Sequence, residues 1–202
     1  MYDVSVVMGL VDYIPVILFG ITAWILQKDL YGRMCRGTFA LFAAGTIEIF
    51  TAGFLKATWK LLYAAGVCDF EIFNHMMMPL QSLGWVLTGV SLIIMLSRKG
   101  KCAALAVPPV FSGSMVFVGM MVLGLGTVCA CLGILAVKLK KKLPVVLFVL
   151  SFVFYMGMGY MASRDSTTAA VNWIEQSLNC AGQALLLGGV WMMHKAGLAE
   201  KE

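Results

Sequence analysis

Charge is scarce in this chain: Asp, Glu, Lys and Arg make up 12% of its 202 residues, against 61% apolar ones. A water-soluble domain carries about twice that share of charge. Together with a mean hydropathy of +0.91, the deficit excludes a soluble globular protein and leaves the lipid bilayer as the solvent. Histidine occurs only twice. No HExxH, GxSxG or HxxxD pattern is present, which argues against the familiar zinc-hydrolase and nucleophilic-serine constellations. The six cysteines, Cys35, Cys68, Cys102, Cys129, Cys131 and Cys180, include no CxxC pair. A thiol–disulfide enzyme and a structural zinc site are therefore not expected, and the thiols read as small apolar packing residues. A Gly-rich loop followed by Lys and Ser or Thr is also missing, so no phosphate cradle is in view. Neither a metal nor a cofactor is expected.

What the chain has instead is a series of long apolar windows, at about 6–27, 37–60, 74–97, 108–137, 143–163 and 170–194. Each approaches the roughly 20 residues that a helix needs to cross about 30 Å of hydrocarbon. The sequence thus predicts an all-α polytopic membrane protein of six transmembrane helices. The links are too short for a separate soluble unit, so residues 1–202 form a single transmembrane domain. The opening MYDVSVV lacks the basic start of a secretory leader and no small-residue cleavage site follows, so the first span is expected to persist in the mature protein.

The net charge of +5 would point to nucleic acid in a soluble protein. Here the basic residues gather at span ends: Lys28, Arg33 and Arg36, then Arg98, Lys99 and Lys101, then Lys138, Lys140, Lys141 and Lys142. Lipid headgroups explain them and nucleic acid is not an expected partner. Six alternating spans divide Lys and Arg almost evenly between the two sides. The Lys138–Lys142 cluster tips the expectation towards a cytoplasmic N-terminus.

A weak internal repeat accompanies the even charge balance. NHMMMPLQSLGWVLTGVSLIIM lies over NWIEQSLNCAGQALLLGGVWMM, matching Asn74 with Asn172, Gly84 with Gly182 and Met95 with Met193, with Gln81 facing Asn179. LFAAGTIEIFTAG lies over LFVLSFVFYMGMG, pairing Leu41–Phe42 with Leu147–Phe148 and Gly53 with Gly159. Two adjoining three-span units, about 6–97 and about 108–194, would enter the membrane from opposite faces. The sequence therefore predicts inverted three-helix repeats about an axis in the membrane plane, with a solute site between them.

The most unusual stretch is NWIEQSLNCAGQ, residues 172–183. At about 100° per residue, Asn172, Glu175, Gln176, Asn179 and Gln183 fall within roughly 100° of arc. Such groups have no water to bond to in lipid and each would cost several kcal/mol there. The stripe is expected to face a cavity or hydrogen-bonded network, or alternatively a second copy of the chain. In the third span Asn74, Gln81 and Thr88 recur every seven residues, with Trp85 and Met78 beside them, and this line is expected to face the stripe. Asn74, Gln81, Trp85, Asn172, Asn179 and Gln183 are the candidate substrate-binding residues.

Three carboxylates lie within apolar sequence and are candidates for proton or cation coupling: Asp12, Glu48 and Glu175. Pro15 cannot bond the Val11 carbonyl, so a freed oxygen and a kink are expected beside Asp12. The plain alternatives are that Asp12 reaches headgroup water and that Glu48 is hydrogen-bonded packing. Lys56 and Lys60 are expected to extend to the interface, with Lys56 pairing an acid as the alternative. His75 and His194 are expected on one membrane side. The Met76–Met77–Met78 run suggests lipid-facing packing or a deformable pocket.

These features predict a multi-pass transporter or channel for a small polar or cationic solute, coupled through the buried carboxylates and sited in a bacterial plasma membrane. The alternatives are a ligand-capturing subunit or sensor working with a membrane partner or as a homodimer, and an intramembrane enzyme acting on a lipid.

Overall fold

The computed structural model describes residues 5–97, 114–162 and 168–200. Every regular element among them is helical: α1 (Val6–Val11), α2 (Tyr13–Leu30), a 3-10 turn at Tyr31–Arg33, α3 (Arg36–Ala64), α4 (Glu71–Leu96), α5 (Ser114–Lys138), α6 (Lys142–Ala162) and α7 (Ala169–Lys195). Five helical stretches are long and apolar enough to cross a membrane: Val6–Arg33, Arg36–Ala64, Glu71–Leu96, Val116–Lys138 and Lys142–Met161. This suggests a membrane protein. α7 has 27 residues, about 40 Å at 1.5 Å per residue, but its amide-rich first half keeps it out of that group. Large apolar side chains such as Trp24, Leu123, Val137 and Val153 point outward, as they do on helices surrounded by hydrocarbon.

Local chemistry sets the ends. The Ser5 hydroxyl oxygen accepts from the Met8 N–H, an N-cap for α1. The break between α1 and α2 falls at Asp12, within one turn of Pro15, whose ring and missing N–H prevent the Val11 carbonyl from making its helical bond. α3 stops at Gly66, which takes φ +67°. The Val67 N–H then bonds the Leu62 carbonyl, a closure that needs a left-handed residue. At the α5–α6 turn Lys140 adopts φ 58°, and the Lys141 N–H bonds the Ala136 carbonyl in the same manner.

The six long helices form a closed ring in chain order, with α7 packing back onto α2. α2 and α3 are antiparallel: Tyr13 OH meets Thr58 Oγ1 at 2.9 Å, and Gln27 Nε2 donates to Thr46 Oγ1 at 2.8 Å. α3 and α4 are also antiparallel, with Gly45 against Gly84 and Thr88 and Ile49 against Gly84. α5 and α6 are too, through Gly126 with Phe152 and Gly133 with Val145, and so are α6 and α7, through Gly157 with Leu178 and Gly189 with Phe148.

Two neighbouring pairs run in the same direction. α2 and α7 pair from start to finish: Gln176 Nε2 donates to the Val11 carbonyl at 3.2 Å, His194 Nδ1 lies 2.9 Å from Asp29, and Arg33 Nη1 donates to the Leu198 carbonyl at 3.0 Å. α4 and α5 match Trp85 with Gly124 and Gly89 with Thr127. The triplets α2–α3–α4 and α5–α6–α7 therefore have the same sense.

This corrects the inverted arrangement predicted from sequence. An inverted pair of adjoining triplets would make α2 and α7 antiparallel, and their contacts require the opposite. It also separates His75 from His194, which start α4 and finish α7 at opposite ends of the bundle. The residues matched by the internal comparison nevertheless occupy equivalent seams. Gly84 packs on Gly45 and Ile49. Its counterpart Gly182 packs on Tyr155, and its carbonyl accepts from Ser151 Oγ at 2.8 Å.

The centre of the ring is aromatic. Trp85 is 1% exposed and meets the edges of Phe19 at 5.6 Å and Tyr155 at 6.3 Å, joining α4 to α2 and α6. The indole, expected as a solute contact, is sealed into this cluster and lines neither of the two polar pockets described below.

Candidate solute site

At the end of the bundle where α2 begins, five helices contribute to one polar cavity of about 80 Å³. The helix break brings Asp12 into it. Because α3 runs against α2, the last turns of α3 arrive at the same level and deliver Lys56 and Lys60. The polar face of α7 supplies Glu175, Gln176 and Asn179, while α4 adds Met77 and Gln81 and α6 adds Met158.

Lys60 Nζ lies 2.8 Å from Asp12 Oδ2, with side chains only 10% and 6% exposed. Lys60 therefore does not extend to the interface as expected. A lysine with a carboxylate one helix away gains more from the pair than from a stretched route to water. Lys56, one turn earlier, lines the cavity with Asp12, Glu175 and Lys60 as charged neighbours. The sequence names the acids and amides at this site and gives Lys56 pairing an acid only as an alternative, and it does not place Lys60 here. Two lysines four residues apart on one helical face, inside an apolar run, were the available signal.

Gln176 closes the account of the broken helix, since its Nε2 donates to the Val11 carbonyl that Pro15 leaves free. Three buried oxygens near the cavity have no hydrogen-bond partner among the described residues: Asp12 Oδ1, Glu175 Oε1 and Gln183 Oε1. Gln183 lines a smaller pocket of about 40 Å³, which shares Val16, Gly53, Gln81 and Asn179 with the first and ends on Phe19. The two pockets thus adjoin along α7, and the smaller one reaches Phe19 of the aromatic centre.

Not every candidate meets there. Asn172 is buried on the first turn of α7, where its Nδ2 bonds the Thr168 carbonyl at 3.4 Å. Asn74 is half-buried on the first turn of α4, and neither residue lines the cavity. Thr88 bonds back to the Gly84 carbonyl within its own helix. Glu48 lies on α3 outside both pockets, and its buried Oε2 lacks a partner among the described residues. Within the stripe Asn172, Gln176 and Gln183 are packed against the same chain, each 6% exposed, while Glu175 and Asn179 are half-buried.

A second polar contact, absent from the sequence expectations, sits at the opposite end. Asp29 is buried, and both its oxygens lie 2.9 Å from His194 Nδ1. With the Arg33–Leu198 bond it ties the last turn of α7 to that of α2.

Compared with protein families, with curated proteins and with solved structures, the chain has no match.

Proposed function

We propose that this chain is an integral protein of a bacterial plasma membrane, crossing it with six long helices, that takes a small polar solute into the Asp12–Glu175 cavity and passes it across. The observation that carries the reading is the charged and incompletely satisfied lining of that cavity. A buried polar atom without a partner costs about 1–3 kcal/mol. Asp12 Oδ1, Glu175 Oε1 and Gln183 Oε1 belong to residues that line two adjoining pockets, an arrangement that a solute or its water would satisfy. The volume of about 80 Å³ is below the roughly 150 Å³ that admits a benzene-sized guest, which favours a solute of a few heavy atoms.

Helix direction supports an orientation. Lys28, Arg33, Arg36, Lys138, Lys140, Lys141, Lys142 and Lys195 all belong to the end where α2, α5 and α7 finish, whereas the described lysines of the other end, Lys56 and Lys60, are turned into the cavity. By the positive-inside tendency the basic end is cytoplasmic. The cavity then opens to the exterior and the N-terminus lies outside. This reverses the sequence expectation, because Lys138–Lys142 and the N-terminus stand at opposite ends of the ring.

Two triplets of the same sense fit a parallel repeat about an axis along the membrane normal, the arrangement in which two halves rock around a central site. Gln81 and Asn179, matched by the internal comparison, both line the cavity, as residues beside such an axis would. In this reading the Phe19–Trp85–Tyr155 cluster is the closed inner gate, Asp12 and Glu175 are the coupling candidates, and Glu48 is structural.

The cluster also favours a second reading, a subunit that captures a ligand from outside and hands it to a partner. Uptake into proteoliposomes, with and without a proton gradient, separates the two for wild type, Asp12→Asn and Glu175→Gln. Uptake lost in both variants supports transport. Retention of solute without uptake supports capture, and uptake unchanged by both substitutions removes the cavity from the path.

A further inference from the structure

We propose that the cavity is built for a small zwitterion, a solute carrying one ammonium and one carboxylate group and little side chain, with the ammonium held by Asp12 and Glu175 and the carboxylate by Lys56. This inference rests on the reading of the cavity as a solute site. It departs from the cationic solute that the carboxylates by themselves imply.

Charge balance is the first argument. The cavity contains two carboxylates, Asp12 and Glu175, and two amines, Lys56 and Lys60, so it is formally neutral. A site of zero net charge offers no net attraction to offset the desolvation of a bare cation or anion. A zwitterion keeps the filled site neutral and brings one charge for each free group.

The second argument is which groups are free. Asp12 and Lys60 already share an ion pair through Oδ2. Asp12 Oδ1 and Glu175 Oε1 remain buried without partners among the described residues. Both are acceptors, which an ammonium group with three donors suits. Lys56 lines the same space and forms no direct ion pair among the described residues. It therefore supplies donors for a carboxylate within the same cavity. Gln81 and Asn179 add neutral donors and acceptors without altering the balance.

Size is the third argument. At about 80 Å³ the cavity lacks the space of roughly 150 Å³ that an aromatic ring needs. Backbone-sized solutes fit this limit and large side chains do not.

The test uses the purified full-length chain in lipid nanodiscs and equilibrium binding of glycine, β-alanine, methylammonium, acetate, glycinamide and phenylalanine. Glycine or β-alanine is expected to bind at least tenfold more tightly than any of the other four. Lys56→Met is expected to weaken zwitterion binding at least tenfold while leaving methylammonium and glycinamide unchanged or tighter. Glu175→Gln is expected to shift the preference towards acetate, and Lys56→Arg to retain wild-type selectivity. The ratios measured on wild type carry the test even if one variant fails to fold. Methylammonium or glycinamide binding as tightly as glycine overturns the proposal, and so does a folded wild type that binds neither zwitterion. Zwitterion binding without uptake leaves this inference standing and removes transport. Uptake of methylammonium without zwitterion binding removes this inference and leaves transport.

Discussion

Replacing Lys60 by Met removes the counter-ion of a carboxylate that has no second partner among the described residues. The Nζ–Oδ2 separation is 2.8 Å and the two side chains are 10% and 6% exposed. At an effective dielectric of about 20 the direct attraction at 2.8 Å is about 6 kcal/mol, most of it cancelled by the desolvation of both ions. Removing one partner leaves that desolvation uncompensated, and the expected loss is about 3–5 kcal/mol. Water in the adjacent cavity moves the value towards the lower end. Asp12→Asn strands the ammonium instead and should cost a similar amount. The double variant should lose much less than the two singles together, because no unpaired ion remains. Reversible SDS titration in mixed micelles, followed by tryptophan fluorescence, measures all three. Single losses below about 1 kcal/mol that simply add in the double variant would mean that the pair is water-screened, as exposed pairs are. The account of a buried, charge-balanced site would then fail.

Gly84→Ala is expected to destabilise the bundle by about 1–3 kcal/mol, because a Cβ there lies 2.7 Å from the Gly45 carbonyl oxygen and 2.7 Å from Ile49 Cγ1. Gly159→Ala, with nothing within 4 Å, should be neutral or stabilising by up to about 1 kcal/mol; equal effects in the same titration would refute the tight α3–α4 seam. His194→Ala strands the buried Asp29 and should cost about 1–3 kcal/mol, with part of the loss regained by adding Asp29→Leu. Recovery of nothing would show that the contact is not what holds α7 to α2. For orientation, Glu175→Cys and Lys141→Cys are made in a background without native cysteines and labelled in intact cells with an impermeant thiol reagent. Labelling at 175 and silence at 141 until the cells are permeabilised is the expected result, and the opposite pattern reverses the proposed direction of capture.

The polar line of α4 shows where sequence reasoning reaches its limit. Gln81 and Thr88 lie on one helical line by periodicity, yet Gln81 opens into the cavity while Thr88 spends its hydroxyl on the Gly84 carbonyl. Periodicity gives an angle around one helix and says nothing about which neighbour fills that angle. Trp85 illustrates the same point, since an indole beside a polar line is equally consistent with a solute contact and with the core contact it makes with Phe19 and Tyr155.

The sequence by itself determined an all-helical chain with several membrane-length apolar helices and the break beside Pro15, because apolar composition, span length and a missing N–H act locally and their energetics do not depend on the rest of the chain. It also determined that the α7 stripe turns inward, since bare amides are costly wherever a hydrocarbon-facing surface would put them. Only the tertiary structure decided the sense of each triplet. Alternation of direction was inferred from counting spans, whereas direction is set by the side-chain seams: Gly124 on Trp85, Gln176 on Val11 and His194 on Asp29. That sense in turn decided which charges share an end, gathering the basic residues of the helix termini at one face and bringing Lys56 and Lys60 to Asp12 and Glu175 at the other. Pairing of ions depends on distance in space, and neither the distance nor the partner is written in the linear order of the residues.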